Sequence, residues 1–249
     1  MKGRQKLVKL MLALVGLVFI CPLASCQESA LKGKKVLFVY GGWDGHEPRQ
    51  CMERLKPWLE SQGAIVRLSD NLDVYTDREL MSGTDLVIQT WTMGSITDQQ
   101  ARGLLEAVSG GTGLAGWHGG LGDSFRSNTD YHFMVGGQWV AHPGGIVDYD
   151  VDIRDKKDPV TRGLKRFHMK SEQYYMHVDP SVKVLATTTF QARPEAPWIE
   201  GIVMPVVWKK QYGKGRVFYS SLCHSASDFD VPEALEIMKR GILWAAESK

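Results

Sequence analysis

The feature that most restricts how this chain can fold is Gly116-Trp117-His118-Gly119-Gly120, which has the G-x-Nuc-x-G spacing of a strand turning abruptly into a helix. Such an elbow pushes its central residue outward at the carboxyl edge of a sheet. The flanking glycines remove the Cβ atoms that would otherwise meet the tight backbone. A histidine fills the position where serine or cysteine would serve as an acyl nucleophile. An imidazole displayed there suits proton transfer or the holding of a metal.

The segments around the elbow alternate as in a doubly wound sheet. Residues 35–40 are a β-rich apolar run stopped by Gly41-Gly42, which reads as a buried first strand ending in a loop. From about residue 48 to 62, Met52, Leu55, Trp58 and Leu59 recur at helical spacing before Gly63. Residues 64–68 and 85–89 read as the next two strands, with a short helical turn near residues 77–81. Thr97-x-x-Gln100 is a capping box opening a helix closed by Gly110-Gly111. Residues 113–116 form a fourth strand that runs into the elbow. The second half is less regular. Residues 147–153 alternate apolar and acidic as a half-exposed strand does, and lack the turn glycine of a calcium loop. Residues 182–186 are another strand, 203–208 and 216–220 flank a hairpin turn at Gly213-Lys214-Gly215, and 232–247 form a closing amphipathic helix. The order predicts an α/β fold with a mostly parallel central sheet.

Residues 1–25 read as an address rather than as part of that fold. Lys2, Arg4, Lys6 and Lys9 precede an apolar run over residues 10–20, which is shorter than the roughly 20 residues needed to span a bilayer. Leu23-Ala24-Ser25-Cys26 has the form of a lipobox. The expectation is an exported lipoprotein, cut before Cys26 and lipidated on it, with residues 26–34 as a tether and 35–249 as one domain; an ordinary secretory signal or a single membrane helix is the alternative. Periplasm or cell surface follows from that reading, with the outer membrane favoured because Gln27, not aspartate, follows Cys26. Cleavage would remove four basic residues and no acid, turning the formal net charge of +2 into −2. The basic character of the full chain therefore gives no support for a nucleic-acid partner. Only Cys51 and Cys223 remain in the domain, which excludes a disulfide framework and leaves two small buried hydrophobes or, in an oxidising compartment, one bridge as the readings. A homo-oligomer is compatible with the sequence.

Four further polar residues fall just past expected strand ends, where open α/β sheets bind ligands. His46 follows the first strand, His142 lies in Trp139-Val140-Ala141-His142-Pro143, Glu172 in Ser171-Glu172-Gln173-Tyr174, and His224 follows a late strand. Taken singly, each reads as a solvated loop residue. Taken together with His118, they form a set of imidazoles and a carboxylate expected to converge at one sheet edge. His118, Glu172 and His224 are the candidate catalytic groups, and His46, His118 and His224 the candidate ligands for Zn²⁺ or a similar divalent ion, although no compact metal motif is present. Trp43, Trp117, His142 and Tyr174 are candidates for substrate contact, since indole and phenol faces stack on sugar C–H surfaces and imidazole bonds hydroxyls; packing in core and rim is the alternative for the aromatics. His132, His168 and His177 lack this setting and read as structural or surface residues.

The ordered set of Gly41-Gly42 with His46, the elbow at His118, Gly136-Gly137 with His142-Pro143, Glu172-Gln173-Tyr174, and Gly213-Lys214-Gly215 with His224 resembles the trehalose-utilisation, ThuA-like family. The resemblance runs from about residue 34 to 244. It implies a flavodoxin-like, class I glutamine amidotransferase-like three-layer sandwich, with His118 at the position of that superfamily's nucleophilic cysteine and His224 at its late-strand histidine. Without the thiol, glutamine hydrolysis through a thioester is not expected. It also implies a carbohydrate-active site, since the family is associated with disaccharide and glycoside catabolism alongside oxidoreductases that make 3-keto sugars. The expected function is thus an enzyme acting on a sugar or glycoside, including an oxidised one, with a His/Glu site whose members serve as acid/base groups or as ligands of a divalent metal. A non-catalytic surface glycan-binding module and a metal-dependent ester or amide hydrolase are the alternatives.

Overall fold

A run of five buried residues, 36–40, can satisfy its backbone only inside a sheet, and β1 (Lys35–Gly42) has a parallel neighbour on each side. The computed structural model describes residues 29–248; the leader, Cys26 and the first residues of the tether lie outside the described residues. In chain order there follow α1 (Pro48–Ser61), β2 (Ile65–Ser69), α2 (Arg78–Gly83), β3 (Leu86–Thr92), α3 (Asp98–Ser109), β4 (Gly113–Trp117), α4 (Gly119–Gly122) and α5 (Thr129–Val135). The second half contributes β5 (Gly137–Ala141), β6 (Ile146–Ile153), β7 (Phe167–Glu172), β8 (Tyr175–Val178), β9 (Lys183–Thr189), β10 (Val203–Tyr212), β11 (Gly215–Ser220) and α6 (Pro232–Ala246). Nine strands form one sheet in the order β2-β1-β3-β4-β11-β10-β9-β6-β7. The first five are parallel, and β10, β9, β6 and β7 extend them antiparallel.

Helices cover both faces because successive strand residues point to opposite sides. Val36, Phe38 and Ile88 pack with Met52 and Leu55 of α1 and Ile237 and Ile242 of α6. Leu37, Val39 and Val87 pack with Leu104 and Val108 of α3 and Met134 of α5. The expected capping box closes at the start of α3, where Gln100 N–H donates to Thr97 Oγ1 at 3.3 Å and Thr97 N–H donates to Gln100 Oε1 at 2.9 Å. Among the described residues, no helix is long and apolar enough to cross a membrane.

Three differences from the sequence reading bear on the site. Strands β5, β7 and β8 are additional to those expected, and β5 and β8 pair as a small separate sheet. Glu172, expected on a loop, is the last residue of β7 and stands opposite Ile146 of β6, so its backbone is fixed by a ladder. The end of the tether is already part of the domain: Leu31 is fully buried in the core and Gly33 N–H donates to the Gly63 carbonyl at 2.8 Å.

Candidate functional site

The elbow forms as its glycines require. Chain direction reverses between β4 and α4 through His118, whose φ of 46° lies in the left-handed region that a non-glycine residue enters only at a cost of about 1–3 kcal/mol. The conformation persists because both backbone groups are tied down. His118 N–H donates to the Ser220 carbonyl at 2.6 Å, and the His118 carbonyl accepts from Gly122 N–H at 2.9 Å and Tyr219 O–H at 3.1 Å. Two more of the five non-glycine residues with positive φ among the described residues adjoin the site's histidines: Glu47 follows His46 and Cys223 precedes His224. Backbone strain is concentrated where three strand ends present imidazoles, as expected where function over-determines geometry.

His46, His118, Glu172 and His224 converge, each with one nitrogen or oxygen, and these four atoms all lie within 4.8 Å of one another. The tautomer of His118 follows from its neighbours. Its Nδ1 lies 2.8 Å from the Ser221 carbonyl, which can only accept, so Nδ1 carries the hydrogen. Its Nε2 then points a lone pair at Glu172 Oε2, 3.0 Å away. Burial pushes the His118 pKa down to about 3, against the pull of Glu172, so the ring is neutral at ordinary pH. Glu172 is held well below the usual carboxylate range: burial acts to raise it, but the hydrogen bonds of His118, His224 and His46 prevail. With its hydrogen on Nδ1, the neutral ring turns the Nε2 lone pair toward the carboxylate oxygen 3.0 Å away.

A proton or a cation between the two groups would satisfy both lone pairs, and the donor set fits a cation. Four ligands about 2.0–2.1 Å from a tetrahedral ion lie roughly 3.3–3.4 Å from one another. Here His118 Nε2 is 3.0 Å from Glu172 Oε2 and 3.3 Å from His224 Nδ1, which is itself 3.3 Å from Glu172 Oε2; His46 Nε2 is 3.8 Å from that oxygen. Orienting partners stand behind two of the three rings, as they do behind ligating histidines. Besides the Ser221 carbonyl behind His118, Thr92 Oγ1 lies 2.8 Å from His46 Nδ1. Asp228 Oδ2 accepts from the His224 backbone N–H at 2.8 Å and from Ser171 Oγ–H at 2.5 Å, tying the His224 loop to the strand that carries Glu172. Burial lowers the affinity of His224 for a proton, but its bond to Glu172 lifts its pKa above the ordinary value. This group of three histidines and one glutamate could hold a metal ion.

The other residues expected at the site fall into different places. His142 Nε2 is 3.7 Å from Glu172 Oε1, the oxygen turned away from the three rings, and the His142 side chain is 39% exposed at the mouth. Trp43, half-exposed, sets its ring edge-on to His46 with centroids 4.7 Å apart, and so stands on the rim. Tyr174 is buried, with its ring centroid 3.8 Å from that of His118; it backs the imidazole and leaves little face for a ligand. Trp117 is not brought to the site: it is 1% exposed and packs edge-on to Phe38 and Phe229 on the α1/α6 side of the sheet. His168 pairs with Asp148 and Asp150 on the exposed face of β6 and β7, away from the cluster. Thr92 and Asp228 were outside the sequence reading, and nothing in their local sequence distinguishes them from ordinary loop-edge residues.

The sequence profile of the ThuA family, described as trehalose utilisation, matches residues 35–245. No curated protein sequence matches the chain. Among solved structures, a protein described as ThuA-like from Bacteroides uniformis superposes with a TM-score of 0.74 at 15% identity, over 90% of this chain and 94% of that one. A second, from Parabacteroides merdae, gives a TM-score of 0.69 at 20% identity over 88% and 91% of the two chains. A β-galactosidase from Bacillus circulans sp. alkalophilus gives 0.53 at 14% identity, with 86% of this chain on 32% of that enzyme. At these identities the likeness is one of fold.

Proposed function

This chain belongs to the ThuA, trehalose-utilisation family, and we propose that it is an enzyme acting on a sugar or glycoside at a centre where His46, His118, Glu172 and His224 hold a divalent cation, with Zn²⁺ the first candidate. The observation that carries the reading is the tautomer of His118, fixed by the Ser221 carbonyl, which aims a lone pair at an anionic carboxylate 3.0 Å away inside the protein. Three nitrogen donors and one carboxylate oxygen are the set that suits a zinc-like ion. When bound, such an ion supplies Lewis-acid polarisation of a substrate oxygen.

The chain's own residues supply the rest. Glu172 Oε1, turned away from the three rings, faces His142 Nε2 at 3.7 Å, and His142 in turn reaches solvent. The two are too far apart for a hydrogen bond and act separately: Oε1 can accept a hydrogen bond from a substrate hydroxyl, and the His142 ring can take the proton that lies beside the carbonyl of a 3-keto sugar. Trp43 offers its half-exposed ring to the substrate at the rim. Metal content and turnover test the reading together. Purified protein is expected to carry close to one equivalent of a divalent metal by elemental analysis and to convert a 3-keto-glucoside or an unmodified disaccharide, with chelation abolishing turnover and re-addition restoring it. Turnover that survives complete removal of metal would sink the metal-assisted reading.

The same proposal places the enzyme outside the cytoplasm on a lipid anchor at Cys26, supported by the basic start, the short apolar run and the Leu-Ala-Ser-Cys sequence. Mass spectrometry of the chain expressed in a bacterium is expected to find a diacylated Cys26 at the mature N-terminus. An intact Met1, or an unmodified N-terminus elsewhere, contradicts it.

A further inference from the structure

Beside the His/Glu cluster lies a cavity of about 530 Å³ whose walls include Trp139, His142, Pro143, Tyr175, Trp198 and Ile199. His142 belongs to both places: it lines this cavity, and its Nε2 is 3.7 Å from Glu172 Oε1. The connection continues as a wall of rings. Tyr174, which backs His118, lies 6.2 Å from His142 with the two planes 25° apart and 6.2 Å from Trp139. The volume falls in the range of roughly 300–1,000 Å³ that encloses small organic ligands.

The exposed indole in the wall points to an occupant with a flat apolar face. Trp198 is 74% exposed although the turn that carries it, Pro197–Ile199, is anchored by the buried Ile199. An indole held in place yet left to water is a surface awaiting a contact. In the same wall, His142 Nδ1 and Trp139 Nε1 are buried without a hydrogen-bond partner in the protein, an uncommon state for such atoms. A flat exposed indole on a wall of rings is what a sugar or aryl ring stacks on.

We infer that this cavity is the subsite for the second ring of a two-ring substrate, the leaving sugar of a disaccharide or the aryl group of a glycoside, while the first ring sits over the His/Glu cluster. The inference rests on the sugar-directed reading of the cluster, and it narrows the substrate class to glycosides larger than one ring. His142, at the junction of the two spaces, faces the bond that joins the rings.

Calorimetric titration of the purified protein with glucose, trehalose and p-nitrophenyl glucoside, repeated on Trp198→Ala, tests it. The exposed position of Trp198 makes the variant's fold safe, and circular dichroism checks that. Wild type is expected to bind both two-ring ligands more tightly than glucose. Trp198→Ala is expected to weaken the two-ring ligands about fivefold to tenfold and leave glucose within about twofold. A loss confined to the nitrophenyl ligand assigns the subsite to aryl groups, and a loss for both assigns it to a second ring of either kind. Equal wild-type binding of one-ring and two-ring ligands, or two-ring binding indifferent to Trp198→Ala, overturns the subsite and leaves the sugar-directed reading standing. Wild type that binds none of the three overturns the subsite, and wild type that in addition neither binds nor converts a 3-keto-glucoside overturns the sugar-directed reading with it.

Discussion

Replacing Glu172 by glutamine is expected to weaken divalent-cation binding by at least about 100-fold and to remove measurable turnover, with the fold intact. The lower bound follows from magnitudes: removing an orienting partner behind a metal ligand costs about 10- to 100-fold in affinity, and Glu172 is itself a candidate ligand and the only carboxylate in the group. Oε2 is the atom nearest to all three rings, at 3.0 Å from His118 Nε2, 3.3 Å from His224 Nδ1 and 3.8 Å from His46 Nε2. Glutamine keeps the shape and the β7 backbone pairing, but replaces an anion by a neutral amide. The amide N–H₂ can then donate to the lone pair of His118, so the variant satisfies without a metal the contact that in the parent calls for one. Stability of the metal-free variant should therefore match or exceed that of the metal-free parent, while cation affinity in competition titration collapses. A glutamine variant that binds the cation as tightly as the parent would remove Glu172 from the ligand set.

The parallel half of the fold is legible in the chain because its central strands and longer helices each repeat one period without interference. Residues 36–40 are an unbroken apolar run, and α1 buries Met52, Leu55 and Leu59 at helical spacing. The antiparallel half hides its strands where they serve the site. In β7, Phe167, His168, Met169 and Lys170 alternate inward and outward, but the pattern ends in buried Ser171 and Glu172, polar residues that sequence reasoning assigns to a loop. Their burial is supported by partners distant in sequence, Asp228 for Ser171 and three histidines for Glu172. The same limit explains Trp117. It adjoins His118 in the elbow, yet as the last residue of a strand its side chain takes the face opposite to the one the elbow opens, and it joins Phe38 and Phe229 in the core. His118, His46 and His224 were recoverable because strand ends placed them. Thr92, which orients His46, was not, since a threonine in a buried strand announces nothing about the ring it will meet.

Gly119→Ala is expected to disable the centre through His46 while the chain still folds. The backbone at residue 119 is helical and accepts alanine, but the new Cβ would lie 2.4 Å from His46 Cε1, 2.6 Å from His46 Nδ1 and 3.0 Å from Thr92 Cγ2. Atoms do not approach that closely, and the imidazole ring is the group most able to move. Its displacement breaks the contact with Thr92 Oγ1 and takes Nε2 away from Glu172. Overpacking of this kind costs about 1–3 kcal/mol, so a lowered melting temperature with native circular dichroism is the expected background. Against it, cation affinity and turnover should fall as far as they do in His46→Ala. The double variant decides whether the glycine acts through that ring. With the imidazole gone the methyl group has room, so Gly119→Ala in the His46→Ala background should cost little further affinity and less stability than it does alone, a coupling well outside additivity. Additive losses would mean that residue 119 acts on the elbow and not on His46, and that the glycine after the histidine is kept for the turn alone.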